Sequence, residues 1–516
     1  MNRLQELQSG GQSRHSPRDT AQERHGAFDT RTATGVHVYA VSRSDRHSPG
    51  HGDAQWAYWG GLSVFGSLSS AMLSRSIPAP EPAALDLKSQ PISDIYRRLP
   101  LLTSSAEIFF PNSGVVQQLV EHYYYSVEML YPVLGRTSLL ALPQLAAELD
   151  ILGQETVAAY VISGSQETGS GHLILVMAIS LQLLSKSDSR LASKAASYFA
   201  ASEGYIAAAL KDQNLKSVQL LTLASIYIML DDTAGNVWQL IGHASRLYCD
   251  ILDGLDDVHT EDLRMTLLSL EVQLSIAYGR PSEVNSPTCE LRKQRPIAAN
   301  PLAILIADLS GIRLATQERS LKADGSGDLS QGWVVEITML LDKWHKKWQQ
   351  MAASASNFEL PSLEFMYPLA KEYGVFILHE ALLQLYTISQ VEQETRLATA
   401  AALISSLHIL IEKASQPDAR GRAIQCIPFL PWPCFHSVLQ AITVLLSAGQ
   451  DIYYKHKQII RLGLRLCMDS QHDQNNAVYK ALQSSCDQYE NSKRLDDHVT
   501  AIASTTTTTA ERPSAS

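Results

Sequence analysis

"SRLASKAASYFAASEGYIAAALK" (Ser189–Lys211) is followed closely by "LKSVQLLTLASIYIML" (Leu215–Leu230). Both are rich in alanine and leucine, which lose little side-chain freedom in a helix, and neither alternates apolar and polar residues as a half-buried strand would. The same texture recurs in "HLILVMAISLQLLSK" (His172–Lys186), "NVWQLIGHASRLYCDIL" (Asn236–Leu252) and "EDLRMTLLSLEVQLSIAYG" (Glu261–Gly279). It continues in "PLAILIADLSGIRLATQERSL", "GWVVEITMLLDKWHKKWQQM", "LAKEYGVFILHEALLQLYTISQ" and "RLATAAALISSLHILIEKA". Pro433 opens one further helical pattern, and "YYKHKQIIRLGLRLCMDS" carries another. The expected fold class is all-α, a large multi-helix bundle of packed helical hairpins.

Upstream, Val116, Leu119, Val120, Tyr123, Val127 and Leu130 share one helical face, and Pro132 stops that helix. Residues 1–85 mix Ser, Gly, Arg, His and Asp without periodicity and run through the breaker cluster "IPAPEP", which predicts a disordered arm. "WAYWGGLSVFGSLSSAML" is a short sticky exception within it. Residues 86–490 form the expected helical domain. The tail, 491–516, contains "ASTTTTTAERPSAS", which has too little apolar surface to offset the entropy of ordering.

Of the 516 residues, 45% are hydrophobic and 18% charged, a balance that suits buried helices rather than a disordered or fibrous chain. The formal net charge of −10 offers no global attraction to a polyanion or an anionic membrane surface. The six cysteines lie scattered from Cys249 to Cys486, which predicts reduced thiols in an intracellular protein. The N-terminus lacks the apolar core of a secretory signal, and the runs "HLILVMAISLQLL" and "VQLLTLASIYIML" are short for a bilayer span, so no membrane is expected.

"GNVWQLIGHASRL" (Gly235–Leu247) places Gly242 and Ala244 beside the bulky Trp238. A mid-helix glycine costs about 1 kcal/mol relative to alanine, so its presence predicts a neighbouring helix at close range. Downstream, "AYGRPSEV" (Ala277–Val284) ends a helix with Gly-Arg-Pro. These two segments resemble the fungal-specific transcription factor domain, the middle homology region of fungal zinc-cluster regulators. That family typically shows a Trp-x-x-x-Gly-x-Ala-x-Arg helix and then a helix ending in Gly-Arg-Pro. "LVEHYYYSVEMLYPVLGRTSLL" (Leu119–Leu140) looks like the family's opening aromatic helix with its Tyr-Pro-Val-Leu element. "ASYFAASEGYIAAAL", and then a helix with Val218, Gln219 and Leu220, is similar to its next helices. Order and spacing agree from Val115 to Pro296, and "LLDKWHKKW" is compatible with the variable half that follows.

The chain also departs from the pattern. Glu271 and Val272 stand near the family's Asp-Arg position, and "DILDGLDD" replaces Leu-Gly-Leu-His after the tryptophan helix. No cysteine precedes Cys249, so the chain as written lacks the six-cysteine, two-zinc module with which such regulators usually touch DNA.

The resemblance implies a nuclear, pathway-specific transcriptional regulator, with control of a secondary-metabolite gene cluster as the expected role. Its partners would be other transcription factors or a second copy of itself. DNA would be reached only indirectly or through a zinc cluster lying upstream. A small-molecule effector is a further candidate partner. No reaction, cofactor, catalytic residue or metal ligand is expected. Trp238, Gly242, Ala244, Arg246, Gly279, Arg280 and Pro281 are the expected architectural residues.

Two alternatives stay open: an all-α isoprenoid-synthase-like enzyme and a helical ligand-binding module. Asp231 and Asp232 motivate the first, but "LDDTAGN" lacks a third acid at the usual spacing, which favours an N-cap or solvated loop. "GSQETGSG" (Gly164–Gly171) has the outer glycines of a phosphate loop, with Ser170 where the lysine belongs, and is expected to be a flexible inter-helix loop. Cys426, Cys434 and His436 fit no established zinc spacing and are expected to be buried or half-buried. His122, His172 and His243 lack partners for catalysis and are expected to serve packing or surface roles. Lys343, Lys346 and Lys347 beside Trp344 and Trp348, and the basic stripe in "YYKHKQIIRLGLR", are expected to be ordinary solvated helix faces.

Overall fold

The computed structural model describes residues 111–152, 168–232, 234–251, 258–282, 300–322, 331–354, 363–389, 391–416, 429–470 and 478–494. Every regular element among the described residues is helical, as the alanine- and leucine-rich patterns predict. The expected arm, 1–85, lies outside the described residues.

The first half contains α1 (Ser113–Tyr123), a π-helical turn (Tyr124–Glu128), α2 (Arg136–Leu152), α3 (Thr168–Leu184), α4 (Arg190–Ala209), α5 (Leu215–Leu230), α6 (Val237–Ile251) and α7 (Val258–Tyr278). The second half contains α8 (Pro301–Lys322), α9 (Gln331–Ser354), α10 (Leu363–Ile388), α11 (Gln393–Ala414), α12 (Trp432–Ser447) and α13 (Gln450–Ser470). A last helix, α14, spans residues 478–494 and so passes the boundary expected at 490.

Packing follows the chain. Neighbours in sequence pair as hairpins: α3 with α4, α5 with α6, α7 with α8, α10 with α11, α12 with α13. The halves are joined by the α7–α8 hairpin and where α12 meets α5 and α7, and one apolar core runs through both.

The centre of the first half is built from α3 and α5. From Leu173 to Ile179 every residue of α3 is fully buried, and α5 is buried from Ser217 to Leu230. A helix that is apolar all round belongs inside. Three of their buried hydroxyls donate to backbone: Thr222 and Ser225 bond back to the carbonyls of Val218 and Leu221, and the Ser180 hydroxyl donates to Leu119 O of α1.

Helix α11 is long and apolar enough to cross a membrane by length and composition alone. Of its most apolar window, 56% is buried against neighbouring helices, as the core helix of a bundle also would be.

The six apolar positions read as one face before Pro132 are all buried, and the chain leaves helix geometry after the π-helical turn. The stretch Met129–Gly135 that follows has no helix of its own to satisfy its backbone, so other elements do so. The Glu128 carboxylate accepts from the N–H groups of Leu134 (2.9 Å) and Gly135 (2.7 Å) and from the Tyr123 hydroxyl (2.9 Å). Gln219 of α5 donates to Val133 O (3.0 Å), Thr266 of α7 to Pro132 O (2.8 Å), and Asn300 to Met129 O (2.8 Å). Tyr131 shares a hydroxyl contact of 3.2 Å with Tyr373 of α10. This short segment is therefore bonded to both halves of the bundle.

Candidate functional site

The close of α7 follows from one glycine. Gly279 has φ of 62°, a left-handed conformation that side chains with a Cβ resist. Its N–H donates to Ile276 O (3.0 Å), and the next N–H, of Arg280, reaches Ser275 O (2.9 Å). That pair of bonds is a Schellman motif, so Gly-Arg-Pro ends a helix and turns the chain, as expected. The turn is then held from α8: Gln317 donates to Arg280 O (2.6 Å) and accepts from the Ser275 hydroxyl (2.9 Å).

This turn meets the tryptophan helix. Trp238 and Tyr278 pack edge to face with centroids 5.8 Å apart, and the Arg280 guanidinium lies 5.7 Å from the Trp238 ring centre and 5.3 Å from that of Tyr278. Tyr278 in turn packs edge-on against the fully buried Trp432 at 5.2 Å. Such aromatic and cation–π contacts are worth about 0.5–1.5 kcal/mol each beyond area burial. Gly242 and Ala244 are buried in α6, Arg246 is exposed, Trp238 and Arg280 are half-buried, Gly279 is buried and Pro281 exposed. Five of the seven architectural residues thus sit in or against the core; Arg246 and Pro281 do not.

A second feature is a groove of about 500 Å³ between α2 and the first turns of α3 and α5. Glycines let the start of α3 come close on both sides. A Cβ on Gly169 would stand 3.3 Å from Leu145 of α2, and one on Gly171 would stand 2.9 Å from Leu220 and 3.0 Å from Tyr205. Thr168–Gly171 is therefore the opening turn of a packed helix, which corrects the flexible loop expected for "GSQETGSG" at these residues. Residues 164–167 lie outside the described residues.

His172 and Gln219 line this groove from within, and each is over nine-tenths buried. The His172 Nε2 stands 3.1 Å from Lys216 O, which can only accept, so that nitrogen carries the proton. Burial pushes the His172 pKa down to about 4, against the pull of that hydrogen bond, so the ring is neutral at physiological pH. Its Nδ1 is consequently a lone-pair acceptor. Gln219 turns its Nε2 to Val133 O, which leaves Oε1 as an acceptor. His172 was expected in a packing or surface role; it does pack, and it also faces a groove.

No family model, curated protein or solved structure matches this chain.

The remaining candidate residues fall as follows. Asp231 is the C-cap of α5, its N–H bonded to Tyr227 O, and Asp232 is buried, which corrects the N-cap or solvated loop expected there. Lys186 lies close enough to both acids for their charge to act on it. Among the described residues no three His, Cys, Asp or Glu side chains are grouped to hold a metal ion. Cys434 and His436 are buried in α12, where burial pushes the Cys434 thiol up, while Cys426 lies outside the described residues. Cys249, Cys434, Cys467 and Cys486 are free thiols.

His122 is buried and His243 half-buried. Trp344 and Trp348 are buried, their indole N–H groups donating to Leu305 O (2.6 Å) and Ala370 O (2.8 Å). Lys343, Lys346 and Lys347 lie on the exposed face, Lys346 paired with Asp342 at 2.6 Å. In the stripe on α13, Lys457 and Arg461 both contact Glu490 of α14, which blunts its positive field.

Proposed function

We propose that this chain is a fungal transcriptional regulator, pathway-specific in scope and acting in the nucleus, with secondary-metabolite gene clusters as its nearest field of action. Its helical domain serves protein contacts, self-association or control of activity, and carries out no reaction. DNA is reached through a partner or through a zinc cluster upstream.

The observation that carries this reading is the contact of Trp238 with Tyr278 and Arg280. The two segments on which the resemblance rests form one packed unit, and the Tyr131–Leu134 element is bonded to α5 and α7 beside them. That is the arrangement expected if the three segments are parts of one domain rather than chance likenesses.

Deletion of the gene in its native host, with transcript sequencing and chromatin immunoprecipitation of the tagged full chain, tests the proposal. Coordinated change in one pathway's transcripts, with the chain on their promoters, is the expected result. Unchanged transcripts and absence from chromatin would overturn it. Magnesium-dependent turnover of a prenyl diphosphate by the purified chain, abolished by Asp231→Ala, would favour the synthase instead.

A further inference from the structure

The groove between α2, α3 and α5 has a polar floor that is unbalanced. The donors of His172 and Gln219 are both committed to backbone carbonyls, of Lys216 and Val133. Their acceptors, Nδ1 and Oε1, are open to the groove and hydrogen-bonded to no other described residue, although the two residues are only 7% and 9% exposed. Nothing among the described residues donates to these two acceptors, so the donors they face in the groove come from water or from a bound molecule.

The walls say what else the occupant carries. Leu134, Leu142 and Leu145 present apolar surface to the same space. One cation and one anion, Lys216 and Glu148, stand on its exposed rim, so the site has no net charge to select an ion. An anion would meet two lone pairs at the floor. Water could donate there as well, whereas an apolar body with donors would also cover the half-buried Leu145 above the buried Leu134 and Leu142. The volume falls within the range of small-molecule sites.

We propose that this groove is a binding site for a small neutral molecule with an apolar skeleton and O–H or N–H donors, received by His172 Nδ1 and Gln219 Oε1. The site does not depend on the gene-control reading, and binding to the purified chain is read separately from any transcript.

The test is a ligand-observed NMR titration of the full chain with two matched probe pairs: cyclohexylurea against its fully N-methylated analogue, and phenol against anisole. Saturable binding of a donor probe, with its donor-free counterpart at least about tenfold weaker, is the expected result. Gln219→Met removes the acceptor and should weaken the donor probe by a similar factor. Because Gln219 also ties down Val133, a second variant is needed that spares the core. Ala141→Trp fills the groove from its exposed wall, and should abolish binding while leaving the melting temperature unchanged. The proposal is overturned if neither donor probe saturates, if the members of each pair bind equally, or if Ala141→Trp leaves binding intact.

Discussion

The indole of Trp348 occupies the space in which Gly374 would carry a side chain: a Cβ there would stand 2.0 Å from Nε1. The same N–H donates to Ala370 O one turn away, so the ring is held against α10. Gly374→Ala should therefore destabilise the chain by about 1–3 kcal/mol through overpacking. Combining it with Trp348→Leu should cost less than the sum of the two single changes. Urea denaturation of the four proteins checks this, and additive effects would contradict the contact.

Arg313 of α8 and Glu380 of α10 form a buried pair at 3.0 Å, and the other Glu380 oxygen accepts from Ser437 of α12 at 2.6 Å. Removing one charge strands the other in the core. Arg313→Met or Glu380→Leu alone should cost about 3–5 kcal/mol, and the double replacement distinctly less. A double-mutant cycle in denaturant measures the coupling.

His172 makes the chain sensitive to mild acid. Its folded pKa, about 4, lies below the ordinary histidine value of 6.5, so the unfolded chain binds the extra proton first. Its contribution is fully present above pH 6.5 and is lost as pH falls from there through 4. His172→Gln should flatten the stability profile in that window. An unaltered profile would show that the ring is not held neutral.

Glu490 acts at lower pH. Burial pushes its carboxyl up, but hydrogen bonds from Tyr453, Lys457 and Arg461 outweigh burial and leave its pKa at about 2. A depressed carboxyl stabilises the fold above its unfolded value and ceases to do so as pH falls through the folded one. Glu490→Gln should remove that acid-side slope between about pH 4.3 and 2. Melting temperature against pH is the readout.

Gly279 and Gly242 test the architectural residues. The left-handed backbone at Gly279 predicts a loss of about 1–2 kcal/mol for Gly279→Ala. Gly242 is buried in α6, and Gly242→Leu should overpack it by about 1–3 kcal/mol. Unchanged thermal stability of Gly242→Leu would refute close packing there.

Much of the fold was legible because helix formation is local. The apolar density of α3 and α5 announces burial, and Gly279 with Pro281 announces a helix end. Chemistry was less legible. "GSQETGSG" reads as a loop because it has a phosphate loop's glycines without its lysine, yet at Gly171 the missing Cβ serves contact with Tyr205 and Leu220. Asp231 and Asp232 read as an N-cap or solvated loop for want of a third acid, although one is the C-cap of α5 and the other is buried.

By itself the sequence determined that the chain would be helical and which faces would turn inward, since propensity and period act over a few residues. Only the tertiary structure decided that Trp238 would meet Tyr278 and Arg280, that Arg313 would find Glu380, and that His172 and Gln219 would turn two acceptors into one groove. Those relations depend on how distant helices cross and interlock, and no local pattern carries that information.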